Sequence, residues 1–207
     1  MHIPKRIAVF GASTVYGRID SAGGFVARLR LWHESLAVHH TVFNLGISGE
    51  TTTRLLQRFL PEAQVRTPDL IIFALGLNDT SHVGSLASLS RTGISTYEQN
   101  IRLLIKQART LAPMLFIGPY PIDDRRTQPI AGQAVYFTLA DAHKYAQVQQ
   151  RVCREEDVAY LDVMQTWEAT SYHEWLAEDG LHANSAGHEQ LFQAIRTYLE
   201  TSCSEGK

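Results

Sequence analysis

Three segments of the chain carry polar side chains of the kinds that perform nucleophilic catalysis. Ser13 follows the β-rich run RIAVF, and Asn78 follows the apolar run LIIFALGL. Asp179 and His182 lie three residues apart in DGLH, a spacing that can place the carboxylate against the imidazole within one turn. Such a pair fixes the tautomer of the imidazole and leaves its other nitrogen facing a nucleophile. These residue types predict a serine nucleophile with a histidine base.

Backbone and side-chain N–H groups suited to an oxyanion occur in two places. Gly49 in NLGISGET frees the backbone for close approach to a ligand, and its N–H can bind an anion. The Asn78 amide can donate to a developing oxyanion. Each signal also has an ordinary structural explanation: Ser13 and Asp179 as caps, Gly49 as a turn residue, and the Asn-Asp pair as a turn former.

Strand and helix patterns alternate five times along the chain. Strands are predicted at 6–10, 41–46, 69–76, 113–120 and 159–163. Helices are predicted at 25–38, from near residue 51 to just before Pro61, at 95–112, 131–156 and 185–200. This alternation predicts an α/β fold of three layers, α/β/α, with a five-stranded parallel sheet. Functional loops of such sheets follow the carboxyl ends of the strands, where Ser13, Gly49 and Asn78 stand.

Composition restricts the class of protein. The 207 residues, with 44% hydrophobic and 19% charged residues, predict a single domain with a core at about 6–199. The net charge of -2 favours neither nucleic acid nor a membrane surface as a partner, and no apolar run is long enough to span a bilayer. No secretion signal is visible, so we expect a cytoplasmic protein.

No cofactor and no metal is predicted. The chain has no G-x-G-x-x-G or phosphate-loop pattern after a strand, and its histidines have no supporting acidic or cysteine cluster. The two cysteines, Cys153 and Cys203, allow one disulfide, but the position of Cys203 in a polar tail gives it weak support. The oligomeric state cannot be derived from the sequence.

The order of the motifs resembles the SGNH hydrolases, also called GDSL esterases and lipases, over about residues 6–199. The serine, glycine, asparagine and histidine of that family fall on Ser13, Gly49, Asn78 and His182, and its D-x-x-H motif supplies Asp179. The resemblance implies a flavodoxin-like fold and a serine ester hydrolase acting through an acyl-enzyme on a small-molecule ester. It also implies an oxyanion held by the N–H groups of Ser13 and Gly49 and by the Asn78 amide. We expect small or short-acyl esters, because no long apolar insertion suggests a lid.

The chain departs from the family motif at two positions. The motif usually reads G-D-S with a following leucine, whereas Ala12 precedes Ser13 here and Thr14 follows it. The missing carboxylate normally helps to organise the polar network near the oxyanion hole. Two alternatives stay open. One is an acyltransferase using the same acyl-enzyme, which nothing in the sequence separates from the hydrolase. The other is a weakly active or non-catalytic binder of acylated ligands, which Ala12 favours and which the retention of Ser13, Asn78 and the Asp179–His182 pair opposes.

Overall fold

A parallel β-sheet forms the centre of the molecule. The computed structural model describes residues 3–202, in which the five sheet strands β1 to β5 are Arg6–Gly11, Thr41–Gly46, Leu70–Ala74, Met114–Ile117 and Ala159–Leu161. Their spatial order is β2-β1-β3-β4-β5, and every neighbouring pair is parallel. The predicted α/β fold with a five-stranded parallel sheet is confirmed, and its strand order is that of flavodoxin-like folds.

Helices cover both faces of this sheet. Within residues 3–202, the long helices α1 to α5 are Gly24–Leu36, Thr52–Arg66, Ile94–Ala108, Leu139–Glu155 and Ser185–Ser202. Short helices lie at Ser13–Tyr16, Leu77–Thr80, Asp124–Thr127 and Val163–Glu168, with a 3-10 turn at Tyr172–Trp175. Because side chains of a strand alternate between faces, Ile7 and Val9 pack against α1 and α5, whereas Ala8 and Phe10 pack against α2, α3 and α4. None of the helices described is long and apolar enough to cross a membrane.

The predicted helix at 131–156 is wrong in its first turns. Helix α4 begins at Leu139, where the Thr138 side chain accepts a hydrogen bond from the Asp141 backbone N–H. Before it, Val135–Tyr136 pairs antiparallel with His82–Val83. Valine and aromatic residues favour extended backbone, and the sequence offers a strong helix start only at Thr138.

The predicted end of a helix before Pro61 is also wrong. Helix α2 continues through Pro61 to Arg66. Leu55, Phe59 and Ala63 are all fully buried, so the apolar stripe on both sides of the proline packs against the sheet. Pro61 itself is exposed, which leaves the unpaired carbonyl of this turn on the solvent side of the helix.

Strand β1 lies at the topological switch point of the sheet. The chain passes from β2 on one side of β1 to β3 on its other side, so the loops after β1 and β3 leave in different directions. A crevice at the carboxyl ends of these two strands is the usual ligand site of such sheets. Ser13 follows β1 and Asn78 follows β3, so both predicted functional residues stand at this crevice.

Candidate active site

Ser13 occupies a tight turn at the end of β1. It is the first residue of the short helix Ser13–Tyr16 and is 8% exposed. At Gly11 a Cβ atom would lie 2.0 Å from the Ala74 carbonyl oxygen, and at Gly17, with φ of 87°, it would lie 2.3 Å from a backbone oxygen of Gly23. Glycine is therefore required on both sides of the turn that presents Ser13.

The DGLH segment folds into a turn that its own aspartate holds together. Asp179 Oδ1 accepts hydrogen bonds from the backbone N–H groups of Leu181 and His182, at 3.0 and 2.9 Å. Asp179 Oδ2 lies 2.6 Å from His182 Nδ1. Burial raises the pKa of Asp179, but the hydrogen bonds from His182 and the two backbone groups outweigh it and lower the pKa to about 2. The carboxyl group is therefore ionised at neutral pH.

His182 connects this turn to Ser13. An ionised carboxylate only accepts hydrogen bonds, so the neutral imidazole carries its proton on Nδ1 and leaves Nε2 as an acceptor. Nε2 lies 3.0 Å from Ser13 Oγ, although the two residues are 169 positions apart in the chain. The structure thus brings three predicted residues into one chain of hydrogen bonds, an arrangement that can withdraw the serine proton.

Asn78 and Gly49 lie differently with respect to this group. Asn78 lines the same pocket as Ser13 and His182, and its side-chain amide has no hydrogen-bond partner among the residues that the structure describes. Gly49 follows β2, on the side of β1 away from Asn78, and is not among the residues that line the pocket. Its φ is 77°, a Cβ atom there would have no neighbour within 4 Å, and its N–H has no hydrogen-bond partner within the described part of the chain.

An apolar pocket extends from Ser13 into the interior. The pocket is narrow: the centre of a water-sized sphere can occupy only about 40 Å³ of it. Apolar side chains form most of its wall, namely Phe25, Leu75, Leu77, Ile117, Phe137, Leu181 and Leu191. Tyr120, which follows strand β4, also lies in the wall. Phe137 was missed because its segment was assigned to a helix.

Asp79 follows Asn78 in the chain but is not among the residues that line the pocket. The side chain is fully buried and accepts hydrogen bonds from the backbone N–H and the hydroxyl group of Thr52, the latter at 2.6 Å. It therefore ties the loop of Asn78 to the start of helix α2. Burial, partly offset by these hydrogen bonds, raises the pKa of Asp79 to about 6.

The raised pKa of Asp79 makes the stability of the protein depend on pH. The folded state binds this proton more tightly than the unfolded chain, so ionisation lowers the free energy of unfolding as pH rises through about 6. We expect the difference in that free energy, wild type minus Asp79→Asn, to fall by about 2–3 kcal/mol between pH 4 and pH 8. Urea unfolding of both proteins measures it, and a difference independent of pH would contradict the prediction.

Two observations within residues 3–202 concern metal ligation and disulfide formation. No group of three or more His, Cys, Asp or Glu side chains that could hold a metal ion occurs in this part of the chain. Cys153 is a buried free thiol. The other cysteine, Cys203, lies outside the described residues.

Comparison with known proteins identifies the family. The sequence model of the GDSL-like lipase/acylhydrolase family matches residues 9–190. The chain belongs to this family. A GDSL esterase/lipase of Arabidopsis thaliana is 22% identical over 205 residues, which are 95% of this chain and 64% of that protein. The chain thus spans slightly less than two thirds of the length of this relative. An acetylxylan esterase of Geobacillus stearothermophilus is 24% identical over 160 residues, 74% of this chain and 69% of that protein.

Solved structures share the fold of this GDSL-like chain. A lipase/acylhydrolase from Enterococcus faecalis superposes with a TM-score of 0.78 at 22% identity, over 95% of this chain and 96% of that one. The Axe2 acetylxylan esterase from Geobacillus stearothermophilus gives a TM-score of 0.75 at 21% identity, over 96% of both chains. At these identities the likeness establishes the fold alone.

The departure of this GDSL-like chain at Ala12 changes the wall of the pocket. Ala12 is 6% exposed and lines the pocket beside Ser13. Its backbone carbonyl accepts a hydrogen bond from the Tyr16 N–H and so closes the turn that carries the serine. The side chain at this position is a methyl group, so the pocket wall next to Ser13 is apolar where the family motif has a carboxylate.

Proposed function

We propose that this protein is a serine ester hydrolase that acts through an acyl-enzyme on short-acyl carboxylic esters. The observation that carries the proposal is the chain of hydrogen bonds from Ser13 through His182 to Asp179. In it a hydroxyl group faces an imidazole nitrogen whose partner nitrogen is held by a carboxylate. Membership of the GDSL-like lipase/acylhydrolase family supports the same reaction class.

Ser13, His182 and Asp179 have distinct roles in the proposed reaction. His182 Nε2 takes the proton of Ser13 as Oγ attacks the ester carbonyl carbon, and Asp179 stabilises the imidazolium that forms. The imidazolium then gives its proton to the departing alcohol, which leaves the acyl group on Ser13. Water, deprotonated by His182, attacks this acyl-enzyme and releases the acid together with free Ser13.

The oxyanion of the tetrahedral intermediate is held by the N–H groups of Ser13 and Gly49 and by the Asn78 amide. The Asn78 amide and the Gly49 N–H, both without a hydrogen-bond partner within residues 3–202, support these roles. Such donors are effective because they are fixed before charge develops.

The pocket supports a small acyl group. Its wall is apolar and is built from buried core side chains such as Phe25, Ile117 and Leu191, which close-packing holds in place. The name acetylxylan esterase, borne by a relative of the chain, supports acetyl esters as one class of substrate. We therefore place esters of short apolar acids first among the substrates.

A fluorophosphonate probe tests the nucleophile. The probe phosphonylates a serine that a neighbouring base activates, so the folded protein is expected to take up one label, which peptide mass spectrometry locates on Ser13. Urea-unfolded protein is the control and is expected to remain unlabelled. A label on another residue, or no label on folded protein that hydrolyses esters, would overturn the proposed mechanism.

Replacement of Asn78 tests the oxyanion hole. We expect Asn78→Ala to lower kcat for p-nitrophenyl acetate by about 10²–10³-fold, because one fixed donor to the oxyanion is lost. Asn78→Asp keeps the shape of the side chain but removes the N–H donors, so its kcat is expected to fall at least as far. Circular dichroism checks that both variants fold. A loss of less than threefold in folded Asn78→Ala would exclude this role.

The length of the acyl chain tests the substrate class. We expect kcat/KM for p-nitrophenyl acetate to exceed that for the octanoate by at least about tenfold, because a long chain cannot enter a closely packed pocket without displacing its wall. Phe137→Ala shortens one wall residue and is expected to reduce this ratio. Faster hydrolysis of the octanoate by the wild type would contradict the assignment.

A further inference from the structure

The hydroxyl group of Tyr120 lies between the two turns that carry Ser13 and His182. It lies 3.0 Å from Thr14 Oγ1 and accepts a hydrogen bond of 3.2 Å from the Ala183 backbone N–H. Thr14 directly follows Ser13, and Ala183 directly follows His182. One oxygen atom therefore contacts the residue next to the nucleophile and the residue next to the base.

No other direct hydrogen bond duplicates this link within the two turns themselves. The serine turn at 12–17 and the histidine turn at 177–184 are both described in full. Between them the only direct hydrogen bond is that of Ser13 Oγ with His182 Nε2, which must be broken and remade during turnover. A separate fixed connection is therefore needed if the two turns are to keep their spacing while the proton moves.

The Tyr120 ring is held firmly enough to act as such a connection. It is 4% exposed and stacks on the Trp167 ring with 4.8 Å between the centroids. Pro119 and Pro121 flank it, so the backbone on both sides is restricted. Burial raises the pKa of Tyr120 to about 12, so the hydroxyl group keeps its proton and can donate as well as accept.

We propose that Tyr120 is a positioning residue that sets the distance between Ser13 and His182 through Thr14 and Ala183. The inference rests on the proposed function, in which these two side chains exchange a proton. Thr14 stands where the GDSL motif has leucine, which has no hydroxyl group. The link therefore depends on a residue by which this chain departs from the motif.

Removal of either hydroxyl group tests the proposal. Tyr120→Phe and Thr14→Val are each expected to lower kcat for p-nitrophenyl acetate by about 10–100-fold, because small displacements of reacting groups are costly. KM is expected to stay within about twofold, because neither change reshapes the pocket wall appreciably. The double variant is expected to lose no more than the worse single variant, since both changes break one link.

Two further variants separate positioning from general destabilisation. Thr14→Ser keeps a hydroxyl group and is expected to retain kcat within about threefold of the wild type. Tyr145→Phe also removes a buried tyrosine hydroxyl group, one that donates to the Thr92 carbonyl oxygen, and is expected to retain full activity. Thr14 is only half-buried, so Thr14→Val and Thr14→Ser are expected to fold. Comparing these two variants tests the positioning role even if Tyr120→Phe does not fold.

The outcomes distinguish this inference from the proposed function. If Tyr120→Phe and Thr14→Val both keep kcat within twofold while Ser13→Ala is inactive, the positioning role is wrong and the hydrolase mechanism stands. Equal losses in Thr14→Val and Thr14→Ser, or in Tyr120→Phe and Tyr145→Phe, would also overturn the role. Full activity of Ser13→Ala would refute the proposed function itself.

Discussion

Ser13→Ala is expected to lower kcat for p-nitrophenyl acetate by about 10⁶-fold, the largest effect of any single substitution in this protein. The change removes the atom that forms the acyl-enzyme and leaves His182 without a hydroxyl group to deprotonate. Ser13 is 8% exposed, and alanine fills nearly the same space, so the fold is expected to survive. Steady-state kinetics with a thermal unfolding curve for the same preparation measures both effects.

Ser21→Ala serves as the matched control for this substitution. Ser21 is exposed and lies eight positions after Ser13, so its replacement is expected to leave kcat unchanged. Residual activity of Ser13→Ala above about a tenth of the wild type would mean that ester hydrolysis does not use this serine.

Asp179→Asn is expected to lower kcat by about 10⁴-fold. The asparagine oxygen can still accept the backbone N–H groups of Leu181 and His182, so the turn keeps its shape. The amide nitrogen then faces His182 Nδ1 as a donor and forces the imidazole proton onto Nε2. In that tautomer the ring cannot accept the Ser13 proton, and the negative charge that stabilises the imidazolium is gone.

Asp162→Asn is the control for the aspartate. Asp162 Oδ1 accepts a hydrogen bond from the Gln165 backbone N–H at the start of a short helix. Asp162→Asn therefore makes the same chemical change at another aspartate that accepts a backbone hydrogen bond. Its kcat is expected to match the wild type. A loss smaller than tenfold in folded Asp179→Asn would show that the aspartate does not fix the tautomer.

The sequence predicts the sheet and three members of the site because these depend on local patterns. Apolar runs define the buried strands, and the D-x-x-H spacing places Asp179 against His182 within one turn. The parallel sheet then brings this turn to the end of β1, where Ser13 stands. The motifs therefore carry the information that positions the hydrogen-bonded chain.

The path of helix α2 through Pro61, the pocket wall at Phe137 and the Tyr120 link depend on contacts between distant segments. No local sequence pattern specifies these contacts. Pro61 continues a helix because residues on both sides of it are buried against the sheet. Phe137 enters the pocket wall through the pairing of Val135–Tyr136 with His82–Val83. The sequence feature that points to the Tyr120 link is the pair of prolines that flank this residue.

The separation of 169 positions between Ser13 and His182 also sets when reactivity arises during synthesis. Under the proposed mechanism, a ribosome makes the nucleophile early and its base only after four of the five sheet-flanking helices, α1 to α4, have been translated. Until helix α5 docks against α1, through contacts such as that of Arg28 with Glu189, Ser13 then lacks the base that we propose for it. On this proposal a nascent or incompletely folded chain carries an ordinary, unreactive hydroxyl group at Ser13, and ester hydrolysis begins only when these two distant parts of the polypeptide have packed against each other.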